Sequence, residues 1–258
     1  MKKLLQANTA SGRRRVSEVF RDFCELSAIT IRNTVDPTGW DAREARYHEI
    51  AQGYSREEFE RFPQVLAELT LELEKGLSDV LGKLYMSLDL GNEVLGQFFT
   101  PFEVSIVMAK MTVGELPKQL AAGKEFITVQ EPACGSGGMI LAMADTLRDE
   151  GINYQRKLHV TATDLDSTAV HMAYVQTSLA FIPALIVHGN TLTLEQFDVW
   201  PTPAHVLGGW NSRLTNEGST PDDTVETVHV RRGMGADDYC TCDGPWPCPE
   251  APEAPAAA

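Results

Sequence analysis

"FITVQEPACGSGGMILAMADTLRDEG", residues 126–151, runs from a short apolar strand pattern through a glycine-rich turn into a helical pattern. No proline or charge interrupts "FITVQ", and the turn residues come at its end, as a buried strand requires. Outward from this unit the rhythm repeats. "LHVTATD" (158–164) is a second strand, "STAVHMAYVQTSLAF" (167–181) a second helix, and "ALIVHG" (184–189) a third strand. Strands alternating with helices predict right-handed crossovers and a parallel sheet, so the fold class is α/β.

The flanks are of other kinds. Residues 1–15 are polar, with Arg13, Arg14 and Arg15 adjacent, and read as a mobile arm. From Val16 to about Leu90 the pattern is helical. Leu66, Leu69, Leu73, Leu77, Leu81, Leu84 and Leu88, following Pro63, recur at spacings of three and four. The spacing predicts one long helix ended by Gly91, with Glu72, Glu74, Lys75 and Asp79 on its wet side. After the third strand come a Gly-Asn turn, a short apolar piece "FDVW" and then Pro-Thr-Pro. Beyond Pro203 the rhythm fades. "ETVHVRR" (226–232) could form one more strand, and the acidic, Pro- and Ala-rich end from Gly233 reads as disordered.

Composition narrows the function classes. The chain has 258 residues, 43% of them hydrophobic and 22% charged, as in a globular protein. No apolar run approaches a membrane span, and the basic start lacks the apolar core of a secretory signal, which predicts a cytoplasmic protein. The five cysteines are then expected as free thiols. Cys240, Cys242 and Cys248 resemble half a zinc site but have no fourth ligand nearby, so no metal is expected. A net charge of −14 argues against unaided binding to nucleic acid.

Three segments carry candidate chemistry. In "EPACGSGGMI" (131–140), Gly135 and Gly137 allow a sharp bend and a close approach to a ligand. It is no P-loop, because no Lys-Ser/Thr follows, and Ile140 replaces the third glycine of the dinucleotide fingerprint. Asp164 ends the second strand, where an acid can accept from a ribose diol; Asp166 fits a helix cap better. In "GQFFTPFEV" (96–104), Thr100, Pro101 and Glu103 spell a capping box. Gln97, Phe98 and Phe99 are left over, either stapling that helix or walling a pocket.

Taken in order, "GQFFTP", "EPACGSGG" and "ATDLD" resemble the S-adenosylmethionine-dependent DNA adenine-N6 methyltransferases, and within them the methylation subunit of type I restriction-modification systems. The resemblance covers roughly residues 95–200. It implies a Rossmann-like methyltransferase core at 96–210, with a parallel sheet open to truncation. A helical region at 1–95 precedes it, and a short strand and tail at 211–258 follow. It implies S-adenosylmethionine as cofactor, its methionine end held by Phe99, Thr100, Pro101, Glu131, Ala133, Gly135 and Gly137. Asp164 would hold the ribose and Asn190 would meet the adenine ring. DNA is the implied acceptor, with a specificity-type protein as partner.

One piece of that family's pattern is missing. The exocyclic amine of adenine is a poor nucleophile, and the family holds it with Asn/Asp-Pro-Pro-Tyr/Phe, whose aromatic ring stacks on the flipped base. That tetrapeptide occurs nowhere in the chain; Trp200, Pro201, Thr202 and Pro203 stand at the expected place. Three readings follow. The chain is an adenine-N6 methyltransferase working with a partner that supplies DNA contacts, a cofactor-binding relative without catalysis, or a methyltransferase for a non-DNA acceptor.

Overall fold

The computed structural model describes residues 1–10, 12–90, 99–114 and 116–217, and the short pieces 231–232 and 239–240. The expected stop at Gly91, the aromatic loop at Gln97–Phe98, the zinc-like cysteines' side chains and the tail lie outside the described residues. Two compact units emerge, Met1–Trp210 and Asn211–Ala258.

Among the described residues seven helices precede the first strand: α1 (Lys2–Ala7), α2 (Val16–Asn33), α3 (Trp40–Gln52), α4 (Arg56–Glu74), α5 (Val80–Ser87), α6 (Phe102–Val113) and α7 (Leu116–Ala121). The leucine stripe is divided between two of them, contrary to the single helix expected. Helix α4 starts at a Ser55–Glu58 capping box, runs through Pro63 and ends at Glu74. A short connection follows, and Asp79 starts α5 by accepting from the Gly82 amide. Leu69, Leu73, Leu77, Leu81, Leu84 and Leu88 are nevertheless all buried, because both helices face one core. Asp79 is not on a wet face: it is 3% exposed. The capping box expected at Thr100 is absent too. Helix α6 begins one residue later, with Pro101 as its N-cap and no side-chain cap.

The α/β part follows the sequence pattern through three strands. It comprises β1 (Ile127–Glu131), α8 (Gly138–Asp149), α9 (Tyr154–Lys157), β2 (Leu158–Asp164), α10 (Ser167–Leu179), β3 (Ala184–Asn190), β4 (Glu195–Pro201) and α11 (Pro203–Leu207). The sheet order is β1-β2-β3-β4. β1, β2 and β3 are parallel, in the register Glu131↔Ala162 and Asp164↔His188. Both crossovers advance the sheet in one direction, so right-handed crossing sets α8 and α10 on the same face. On that face α2 packs along α10 and α6 along α8, in one core continuous with the N-terminal helices.

The fourth strand departs from the all-parallel expectation. β4 turns back antiparallel on β3, pairing Asn190↔Glu195 at one end and Leu185↔Pro201 at the other. Only Thr191–Leu194 connect the two strands, far fewer residues than a parallel crossover needs. Asn190 shapes the hairpin, its side-chain oxygen accepting from the Leu192 and Thr193 amides.

In the second unit, helix α12 (Trp210–Glu217) opens at the boundary, and β5 (Arg231–Arg232) pairs antiparallel with β6 (Tyr239–Cys240). No described helix is long and apolar enough to cross a membrane.

Candidate functional site

Parallel register brings the carboxyl ends of β1, β2 and β3 together, and with them Glu131, Asp164 and Asn190. The turn after β1 is held to the end of β2 by two bonds. The Cys134 amide donates to the Thr163 carbonyl (2.9 Å), and the Gly135 amide donates to Asp164 Oδ2 (2.8 Å). Asp164 Oδ1 accepts from the Asp166 amide at 2.9 Å. The carboxylate is thus oriented from both sides and keeps lone pairs for a further donor. Asp166 caps α10 by accepting from the Thr168 amide.

Gly135 and Gly137 both sit at positive φ, 53° and 88°. A Cβ on Gly135 would come within 2.9 Å of the Phe99 ring, and one on Gly137 within 3.2 Å of the Ala173 backbone. The turn is therefore packed from both sides, by the loop before α6 and by α10. Phe99 in turn meets Tyr85 of α5, ring centroids 5.0 Å apart. Thr100, Pro101 and Ala133 are exposed beside it.

A buried polar cluster lies beneath the turn. Asp79 Oδ2 accepts from the Ser136 hydroxyl (2.6 Å), and Oδ1 accepts from Gln176 Nε2 (3.0 Å) and the Gly82 amide (2.8 Å). Gln176 also donates to the Ser136 carbonyl (2.7 Å) and accepts from the Leu81 amide (2.9 Å). Asp79 and Gln176 thus tie the glycine turn to α5 and α10. Sequence reading missed both. "GLSD" before Val80 is a break-and-cap pattern that could have exposed Asp79, whereas nothing in "MAYVQTSL" singles out Gln176.

The electrostatics of this end are acidic. Burial lifts the Glu131 carboxyl above its usual range; the bond from the Ala133 amide opposes this, and nearby Asp164 adds to it. Burial, then the same two carboxylates, push the Cys134 thiol well up, which leaves it an unreactive small apolar group. The turn's own amides are mostly spent internally: Ala133 on Glu131, Cys134 on Thr163, Gly135 on Asp164 and Gly137 on the Cys134 carbonyl. An oriented carboxylate pair with few free amides suits a cationic ligand bearing hydroxyls, not a phosphate. Leu165 and Leu192, 62% and 95% exposed, follow Asp164 and Asn190 closely and offer flat apolar surface at the same rim.

Trp200, Pro201, Thr202 and Pro203 are placed elsewhere. Because β4 is antiparallel, they lie at the amino end of β3, roughly 20 Å of strand from the glycine turn. Thr202 is fully buried. Its hydroxyl donates to the Ile182 carbonyl and accepts from the Ala184 and His205 amides. Trp200 is packed edge-on against His171 and Tyr174, with the Arg32 guanidinium over its face. A cavity of about 510 Å³ beside Trp200, lined by Arg21, Glu25, Arg46, His171 and Asp198 among others, includes none of the cofactor candidates. Its main charges are already paired, Arg46 with Glu25 and Asp198 with Arg32.

The family described as N-6 DNA Methylase matches residues 79–223, more than half of the chain. The chain belongs to the N-6 DNA methylase family. The family match opens at Asp79, the residue that anchors the glycine turn, and spans every element from α5 to α12. This N-6 DNA methylase family member has no match among curated proteins. One solved structure it resembles is described as a class I S-adenosylmethionine-dependent methyltransferase from Listeria monocytogenes, at 13% identity and a TM-score of 0.43. The alignment covers 74% of this chain and 52% of that one, so the chain spans about half the length of that protein.

Proposed function

We propose that this chain binds S-adenosylmethionine across the carboxyl ends of β1, β2 and β3. In this reading it serves adenine-N6 methylation of DNA in the cytoplasm, with a partner subunit of the specificity type. The observation that carries it is the Asp164 carboxylate, oriented by the Gly135 and Asp166 amides beside the glycine turn. Its free lone pairs suit the two hydroxyls of a ribose. Glu131 would face the cationic methionine end, with Phe99, Thr100, Pro101, Ala133, Gly135 and Gly137 around it. Asn190 spends its oxygen on the hairpin and keeps its amide N–H groups for a ring nitrogen. Leu165 and Leu192 would wall the ring itself. When bound, the cofactor supplies an electrophilic methyl group on a sulfonium.

The acceptor side needs help from outside the described residues. The net charge of −14 supports leaving DNA contacts to a partner, as the resemblance to type I methylation subunits implies. Isothermal titration of the full chain with S-adenosylmethionine tests the first half. Micromolar binding, weakened at least tenfold in Asp164→Ala with far-UV circular dichroism retained, is expected. A folded wild type that takes up no heat with cofactor refutes it. Methyl-labelled cofactor and unmodified DNA, with and without host extract, test the second half, and label on adenine N6 is expected only with extract.

A second reading has its own observation. Thr202 is locked at the opposite sheet end, where it cannot face the cofactor. A chain that binds the cofactor and transfers nothing under any of these conditions would be a non-catalytic relative, regulating or mimicking a modification system.

A further inference from the structure

Helix α6 has two unlike faces. Phe102, Ser105, Ala109 and Val113 are buried, and the helix packs along α8. The opposite face exposes Val104, Val107, Met108 and Met111 by 47%, 58%, 48% and 81%. Four large apolar residues at i, i+3, i+4 and i+7 form a stripe that a solvated helix has no reason to carry. Among the described residues one edge of the sheet is also open. β1 ends the strand order, and no described strand lies on its far side. From Ile127 to Gln130 this edge carries no lysine, proline or bulge of the kind that protects free edges.

We infer that this face pairs with a second copy of the chain across a twofold axis. The stripe is self-complementary. Val104 and Met111 stand equally far from the midpoint between Val107 and Met108. An antiparallel copy of α6 therefore sets Val104 against Met111 and Val107 against Met108 along the whole seam. The flanking charges agree: exposed Glu103, near the start of α6 and 3.7 Å from Lys83 of its own chain, also falls within a helical turn of the copy's exposed Lys110. A like-for-like parallel arrangement would set Glu103 against Glu103. The helix stripe alone covers less than the roughly 800 Å² per partner of a standard stable interface, so the association is concentration-dependent.

Sedimentation velocity on the full chain from about 1 to 200 µM tests this, a range that brackets a dissociation constant on the order of ten micromolar. The mass is expected to rise from one copy to two. Val107→Glu with Met108→Glu should hold it at one copy throughout, with circular dichroism and Tm unchanged because both side chains are exposed. In a background with Cys240, Cys242 and Cys248 changed to serine, Val107→Cys should form an interchain disulfide under mild oxidation. Met111→Cys, about 10 Å from its own counterpart along the seam by helical rise, should not. The inference is overturned by a wild type monomeric across the range, by a dimer that survives the double glutamate variant, or by equal cross-linking at both cysteines. It is equally overturned if a different protein occupies this face while the purified chain stays monomeric.

Discussion

Asp79→Ala is the most informative single change, because it removes the brace of the glycine turn without touching the turn. The carboxylate accepts from Ser136, Gln176 and the Gly82 amide, all buried. After truncation Gln176 Nε2 keeps the Ser136 carbonyl, but the Ser136 hydroxyl and the Gly82 N–H lose their partner. Each orphaned buried donor costs about 1–3 kcal/mol, and the lost α5 cap is contained in the Gly82 share, so the expected loss is about 3–5 kcal/mol. For a unit of this size that lowers Tm by roughly 10 °C. Asp79→Asn keeps the shape and one acceptor oxygen, and the Ser136 hydroxyl can reverse to accept from the new amide. Its loss should stay near 1–2 kcal/mol. Urea unfolding of the three proteins, followed by circular dichroism, gives the values directly. Cofactor titration below the lowered Tm should show at least a tenfold loss for the alanine variant, since Ser136 sits between Gly135 and Gly137. An alanine variant within about 1 kcal/mol of wild type would refute the reasoning, because the cluster would then be no brace.

Other perturbations probe separate parts of the molecule. Gly137→Val combines positive φ with a Cβ 3.2–3.3 Å from Ala173; it should destabilise by about 2–4 kcal/mol and abolish cofactor binding, by urea unfolding and titration. Burial lowers the His171 pKa from 6.5 to about 4, so between those values the unfolded chain binds the extra proton. Stability should fall by about 3 kcal/mol as pH drops from 7 to 4, and His171→Phe should flatten that slope in unfolding curves measured across the range. Thr202→Val leaves three backbone partners short and should cost about 3–5 kcal/mol in urea unfolding, yet hold cofactor affinity within twofold, because it lies at the other end of the sheet.

Much of the α/β core could be read along the chain, for a local reason. Each strand from β1 to β3 ends at a glycine turn, an aspartate cap or Gly-Asn, and after β1 and β2 a helix follows within a few residues. Parallel pairing then carries Glu131, Asp164 and Asn190 to one end without further information. What stayed hidden depends on distance or direction. Asp79 sits within a leucine repeat that survives the break at residues 75–79, because α4 and α5 bury their leucines in one core; periodicity alone therefore places Asp79 on a wet face. Gln176 meets its partners from 40 to nearly a hundred residues away. Thr100-Pro101-Phe102-Glu103 has the letters of a capping box, but the helix starts one residue late and the hydroxyl caps nothing. Alternation in "EQFDVWP" fixes neither strand direction nor neighbour. The four-residue connection does, since it closes a hairpin and cannot carry a parallel crossover.

That short connection has a consequence for chemistry. In the family the sequence resembles, the residues after the fourth strand clamp the amine beside the cofactor. Here the hairpin reverses the strand and delivers Trp200-Pro201-Thr202-Pro203 to the far end of β3, where the same residues close the fold. Restoring the letters of the motif should therefore not restore the function. A chain carrying Trp200→Asn, Thr202→Pro and Pro203→Tyr spells Asn-Pro-Pro-Tyr. It should still transfer no methyl group to DNA on its own, and it should be less stable through loss of the Trp200 packing and the Thr202 bonds. Cofactor titration of that variant at low temperature separates the two effects, because binding should persist where transfer does not. Methyl transfer gained by the triple variant alone would mean that the segment reaches the glycine turn after all. The antiparallel pairing of β4 would then have to be one of two arrangements available to the chain.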